Sequence, residues 1–201
     1  MRPIFTSAAC LLLLAGCVSS INLRNAEGHA QAGYAAQNRG DWEGAARQFA
    51  QAVINADLGN GEPQGKATVN YEYGRAMAVL CKYEDAEKYL LRAKEFNEKS
   101  GISPFLPVYE LGSLNVFQKK YSAATPYFVE LIPLMEREGL RSRAPLGVAD
   151  AYEKYAISLE AVGRSAEAVE QRKQARAIRE ANPNGKPVGG GTPYGTRCKN
   201  S

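Results

Sequence analysis

Histidine is nearly absent: His29 is the only one in 201 residues, beside one tryptophan and four cysteines. A base or metal cage built on imidazole therefore has a single candidate, and a lone histidine near a helix start reads as a solvated surface residue. The pairings that assemble catalytic or metal sites are missing too, since no C-x-x-C, H-E-x-x-H or G-x-S-x-G occurs. Gly189-Gly190-Gly191 is not followed by Lys-Ser/Thr at phosphate-loop spacing. Glu84 and Asp85 are adjacent on a helical stretch and do not face each other. We expect no catalytic residue, no cofactor and no metal, and read the chain as a non-enzyme.

A one-sided charge is lacking as well. Lysine and arginine number 25 against 21 acids, and the two signs are interleaved, which excludes an extended basic face for nucleic acid. Long apolar runs are also absent. The longest, from Ile4 to Ala15, would cover about 18 Å as a helix, well short of the roughly 30 Å hydrocarbon core. A short basic start at Arg2, a short apolar centre and small residues before a cut instead describe a secretory leader. Without residues 1–16 the formal charge falls from +4 to +3, because Arg2 leaves and no acid does.

The leader ends in Leu14-Ala15-Gly16-Cys17, an aliphatic residue, two small ones and a cysteine. This resembles the lipobox of bacterial lipoproteins. The resemblance implies that Cys17 carries diacylglycerol on its thiol and becomes the first residue of the mature chain. Two or three acyl chains hold a protein stably at a membrane, where one binds marginally. Val18, rather than Asp, follows the cysteine, which in Gram-negative lipoproteins implies the outer membrane, on its periplasmic face. Of the other cysteines, Cys10 is a poor second lipobox, because Ser7 stands in place of the aliphatic residue and the apolar run before it is too short. Cys81 sits in a helical pattern and Cys198 near the C-terminus; an oxidising compartment would permit a disulfide, and the sequence leaves open whether they pair.

What the chain does have is a repeat. Trp42, Ala45, Phe49 and Ala52 step by three, four and three residues, and so do Tyr83, Ala86, Leu90 and Ala93, and Tyr121, Ala124, Phe128 and Leu131. Each set is one face of an α-helix. A fourth set, Ser165, Ala168, Arg172 and Ala175, keeps the steps but loses the two large apolar residues. The offsets are 41, 38 and 44 residues. Each set follows a second helical stretch, near 26–39, 67–80, 105–118 and 146–162, carrying Gly33, Gly74, Gly112 or Ala156 at one fixed place. A small residue there lets paired helices approach closely.

The stretch GYAAQNRGDWEGAARQFAQAV (33–53) carries a small residue, a Gly-Asp-aromatic turn, then alanines and an aromatic. GRAMAVLCKYEDAEKYLLRA (74–93) and AISLEAVGRSAEAVEQRKQA (156–175) follow the same plan. The unit resembles the tetratricopeptide repeat (TPR), with a period like the ~42-residue variant of kinesin-light-chain arrays. The resemblance covers about residues 26–182. It implies an all-α solenoid of about four helical hairpins, eight helices in all. Pro133 in the third repeat is expected to kink or end its helix. The charged run EQRKQARAIRE (170–180) suits a terminal capping repeat.

The expected domain plan is a signal peptide (1–16), a lipidated, extended tether (17–25), a TPR-like domain (26–183) and a disordered tail (184–201) rich in glycine and proline. In TPR stacks the first helices line the concave face. Residues there that avoid the packing set are Tyr34, Asn38, Tyr71, Arg75, Tyr109 and Ser113, with Tyr34, Arg75 and Ser113 each directly after the small residue of its repeat. Tyrosine offers apolar area with a hydrogen-bonding tip, which suits peptide recognition, although packing between repeats would use the same rings. The expected function is a membrane-anchored protein-interaction scaffold. A pilotin or assembly factor for a pilus, secretion or outer-membrane machine is one alternative; an enzyme or a regulator of an envelope hydrolase is another. The partner protein and the oligomeric state are not legible.

Overall fold

The computed structural model describes residues 8–185 and 191–198, with side chains from residue 18 onward. Among these residues the chain is helical throughout and contains no strand. The helices are α1 (Ala8–Asn38), α2 (Trp42–Leu58), α3 (Pro63–Val79), α4 (Tyr83–Lys99), α5 (Phe105–Phe117), α6 (Tyr121–Arg137), the single turn α7 (Leu140–Arg143), α8 (Pro145–Ala161) and α9 (Ser165–Ala181). Four antiparallel hairpins, α1/α2, α3/α4, α5/α6 and α8/α9, stack in chain order, and each second helix packs on the first helix of the next hairpin. The expected all-α, TPR-type hairpin solenoid is what forms.

The close approach inside each hairpin has a direct geometric cause. A Cβ built on Gly33 would lie 2.6 Å from the Phe49 ring, one on Gly74 2.9 Å from Leu90 Cγ, and one on Gly112 3.1 Å from the Phe128 ring. Phe49, Leu90 and Phe128 are fully buried, each seated in the hole its glycine leaves. Burying such a side chain is worth roughly 1.5–3 kcal/mol, so three of them offset the loss of helix propensity at three glycines of about 1 kcal/mol each.

The turns inside the hairpins are also equivalent. Gly40, Cys81, Lys119 and Gly163 all have positive φ, between 60° and 82°. In each turn the next amide reaches back into the first helix: Asp41 to Ala36, Lys82 to Met77, Lys120 to Asn115 and Arg164 to Leu159, at 2.8–3.0 Å. These are Schellman closures, which satisfy carbonyls at the helix end. Cys81 is thus not a helical residue, as its sequence neighbourhood suggests. It occupies the left-handed turn position that two other repeats fill with glycine.

Three further expectations change. Pro133 does not end its helix, since α6 continues past it to Arg137. The segment 18–25 is not an extended tether: it is helical and continuous with α1. No proline or glycine interrupts it, Ser19 Oγ donates to the Gly59 carbonyl at 2.6 Å, and Leu23 lies against Gly59 and Gly61. Finally, residues 191–198 are not a free tail; they lie on the face formed by α3 and α5. Residues 1–7, 186–190 and 199–201, and the Cys17 side chain with its expected lipid, lie outside the described residues.

Candidate functional site

The first helices of the hairpins carry polar or charged side chains at one repeat position. Gln31, Glu72, Glu110 and Lys154 are separated by the same 41, 38 and 44 residues as the packing sets. Glu72 and Glu110 are buried. Arg75, one helical turn after Glu72, pairs with it at 3.0 Å and reaches Glu110 across the hairpin boundary at 3.7 Å. The guanidinium carbon also lies 5.5 Å from the centroid of the Tyr71 ring. Gln37 of α1 donates to Glu72 at 3.4 Å. A polar thread therefore runs from α1 through α3 to α5. Burial raises the Glu72 carboxyl above its ordinary value, and Arg75 and Gln37 act against that rise.

A second cluster joins α5 to α8. The Lys154 ammonium donates to Tyr109 Oη at 2.6 Å and to Ser113 Oγ at 3.0 Å. It also lies 4.3 Å from the Tyr109 ring centroid, a cation–π distance. Between the two clusters is a cleft of about 510 Å³, whose lining includes Tyr71, Phe105, Leu106, Tyr109, Met135 and Lys154.

Of the six groove residues expected from the sequence, Tyr71, Arg75, Tyr109 and Ser113 lie on this shared α3–α5 face. Ser113 is buried and held by Lys154. Tyr34 packs edge-on against Phe49, with ring centroids 5.3 Å apart, so it serves its own hairpin as much as any groove. Asn38 is exposed at the end of α1. Missing from the expected set were Glu72, Glu110 and Lys154. Their signal was present, since they share one repeat phase, but acids and lysine on a helix ordinarily mark a solvated face.

The C-terminal segment lies in this site and runs parallel to α3. Thr192 Oγ1 accepts from Arg75 Nε at 2.8 Å. The Tyr194 hydroxyl donates to the Glu110 carboxylate. Its ring packs on Phe117, 5.5 Å between centroids, and Phe117 in turn meets Tyr83 at 6.0 Å. Gly195 N–H and Arg197 N–H donate to the carbonyls of Ala78 and Val79, at 3.4 and 3.1 Å. A disulfide joins Cys198 to Cys81, with Cα atoms 5.2 Å apart across 117 residues of sequence. Burial and the neighbouring Glu110 charge push the Tyr194 phenol well above its ordinary value, and burial does the same for Tyr71.

No family model and no curated protein matches the chain. Solved structures do. BtubC (BKLC) from P. vanneervenii superposes with a TM-score of 0.72 at 17% identity, over 83% of this chain and 67% of that one. A Podosopora anserina kinesin-light-chain protein with nearly identical TPR-like repeats gives 0.63 at 18% identity, over 79% of this chain and 77% of that one. MamA gives 0.50 at 17% identity, over 80% and 94%. At such identities the likeness concerns the fold. The protein is a TPR-like helical-repeat solenoid.

Proposed function

We propose that the protein is a lipid-anchored, non-catalytic interaction scaffold of the bacterial cell envelope, whose α3–α5–α8 face captures a segment of a partner protein. One observation carries the binding part: the α3–α5 part of that face holds residues 191–198, a short segment that turns at Tyr194–Arg197, through side-chain and main-chain hydrogen bonds. A surface that accommodates one such segment has the donors, acceptors and aromatic walls to accommodate another. The cleft beside the segment leaves room for more chain. The leader and the Leu14-Ala15-Gly16-Cys17 motif support the anchoring part.

Each part has its test. Labelling with a palmitate analogue should tag the wild type and not Cys17→Ala; equal labelling of both would end the lipoprotein reading. For the groove, replacing Arg75 is a poor choice, because it strands two buried carboxylates and costs about 3–5 kcal/mol of stability. Leu106 is better, being 45% exposed at the cleft. Leu106→Glu should fold normally and lose the crosslinks that a photo-reactive residue at Ile157, the position equivalent to Arg75, makes to envelope proteins. An unchanged crosslink pattern would place the binding surface elsewhere.

A further inference from the structure

We propose that residues 191–198 are a built-in occupant of the groove, locked by the Cys81–Cys198 disulfide, and that the partner they exclude is a protein segment of the form hydroxyl–X–Tyr–Gly. The inference rests on the reading of the α3–α5 face as a binding surface and adds its ligand and its gate.

The ligand follows from what each position of the segment does. Thr192 supplies a hydroxyl acceptor to Arg75. Tyr194 supplies an aromatic ring to Phe117 and a hydroxyl donor to Glu110. Gly195 is required twice: its φ is +68°, and a Cβ there would lie 2.6 Å from the Phe117 ring and 3.2 Å from the Tyr83 hydroxyl. The main-chain bonds to Ala78 and Val79 use carbonyls of the last turn of α3 and the Gly195 and Arg197 amides, so they require the turn rather than further side chains. A partner segment with the same three features would meet the same atoms.

The gate follows from the lock. A tethered segment competes at an effective concentration near the millimolar range, and the disulfide removes its freedom to leave. Cys198 is exposed while Cys81 is half-buried, so an attacking thiolate reaches the Cys198 sulfur first. A dithiol oxidoreductase would supply the reductant. Its thiolate bonds to Cys198 Sγ, the Sγ–Sγ bond breaks, and Cys81 leaves as a thiolate that takes up a proton. The second thiol of the reductant then attacks its own mixed disulfide and releases Cys198 as a thiol. The two electrons come from the dithiol, which ends as a disulfide.

The experiment uses the mature full-length chain and a fluorescein-labelled peptide, GTPYGTRSKNS, which copies residues 191–201 with serine for the cysteine. Oxidised wild type is compared with the Tyr194→Ala/Cys198→Ser variant, in which the built-in segment is neither locked nor anchored. Circular dichroism checks that both are folded; the altered residues lie outside every helix. The variant should bind the peptide at least ten-fold more tightly than the oxidised wild type, and wild type treated with a dithiol should fall between them. A peptide with alanine for its tyrosine should lose binding to the variant. Equal binding by oxidised wild type and variant, or no binding to the variant at about 1 mM peptide, would overturn the proposal. So would a Cys198→Ser chain that elutes as a dimer, since the occupant would then be a second copy's tail. Failure of these arms with intact Ile157 crosslinks would leave the groove reading standing; loss of the crosslinks' Leu106 dependence would remove the groove itself.

Discussion

The first three hairpins and the fourth solve the same packing problem with opposite residues. Gly33, Gly74 and Gly112 each open a hole that Phe49, Leu90 or Phe128 fills. In the fourth hairpin the small residue is Ala156 and the equivalent of the large one is Arg172, which pairs with Glu160 and lies 3.7 Å from Glu153. Arg179 adds pairs to Asp150 at 2.9 Å and Glu153 at 3.3 Å. The second helix of each of the first three hairpins packs on the hairpin that follows, whereas among the described residues α9 has no helix stacked beyond it and turns a charged surface outward. The difference teaches that what packs on a hairpin's second helix, rather than the repeat plan, decides whether the recurring slot is apolar.

The largest expected effect tests that difference directly. Phe128→Ala should cost about 3–5 kcal/mol in urea unfolding, because it leaves a cavity between α5 and α6. Arg172→Ala at the equivalent slot should leave the unfolding midpoint unchanged within error, because exposed ion pairs contribute little. Similar losses from both would mean that the fourth hairpin is packed as tightly as the others.

Next in size is the glycine slot. Gly33→Ala should destabilise by about 1–3 kcal/mol although alanine is the better helix former, because the added methyl meets the Phe49 ring. Gly28 lies on the same helix with open space around it, and Gly28→Ala should stabilise by about 1 kcal/mol. Thermal unfolding of the pair separates crowding from propensity; a loss at both positions would remove the hole-filling account.

These contrasts also explain how far the sequence could be read. The hairpins were legible because Phe49, Leu90 and Phe128 recur in phase with glycines, and a buried helix face imposes that period. The polar thread was harder to see. Glu72, Glu110 and Lys154 recur just as regularly, but only contact with Arg75, Tyr109 and Ser113 distinguishes them from a solvated stripe. The docked segment was not legible at all. A stretch with three consecutive glycines has no periodic face, and its order comes from Glu110, Arg75 and Cys81, 81 or more residues away in sequence. Helical continuity of residues 18–25 was hidden for a related reason: VSSINLRN is compatible with helix or coil, and Leu23 against Gly59 and Gly61 decides.

The segment marks a second difference between hairpins, since it rests on α3 and α5 and leaves α9 bare. Its hold should depend on pH. The Tyr194 phenol is raised above 10.0 when docked, so docking is fully present below that value and is lost as pH rises from it toward the raised one. In a Cys198→Ser chain with a C-terminal fluorophore, anisotropy should fall above about pH 10, with docking weakened up to ten-fold per pH unit. Tyr194→Phe should dock more weakly at neutral pH and show no such fall. A fall of equal size in both would assign the alkaline loss to other groups.

The smallest effect concerns the turns. Gly40 and Gly163 hold the left-handed position with no steric penalty, while Lys119 holds it at φ +60° with a side chain. A non-glycine residue there costs about 1 kcal/mol or a little more. Lys119→Gly should therefore raise stability by up to about 1 kcal/mol, and Gly163→Ala should lower it by a similar amount. Cys81 has φ +64° and the same penalty, but glycine there would also remove the disulfide and free residues 191–198. Lys119 shows that the turn carries a side chain without any cross-link; at Cys81 the same position also carries the disulfide. If Lys119→Gly and Cys81→Gly change stability by the same amount in fully reduced protein, strain alone separates the four turns; a further loss in Cys81→Gly only under oxidising conditions would measure what the lock adds.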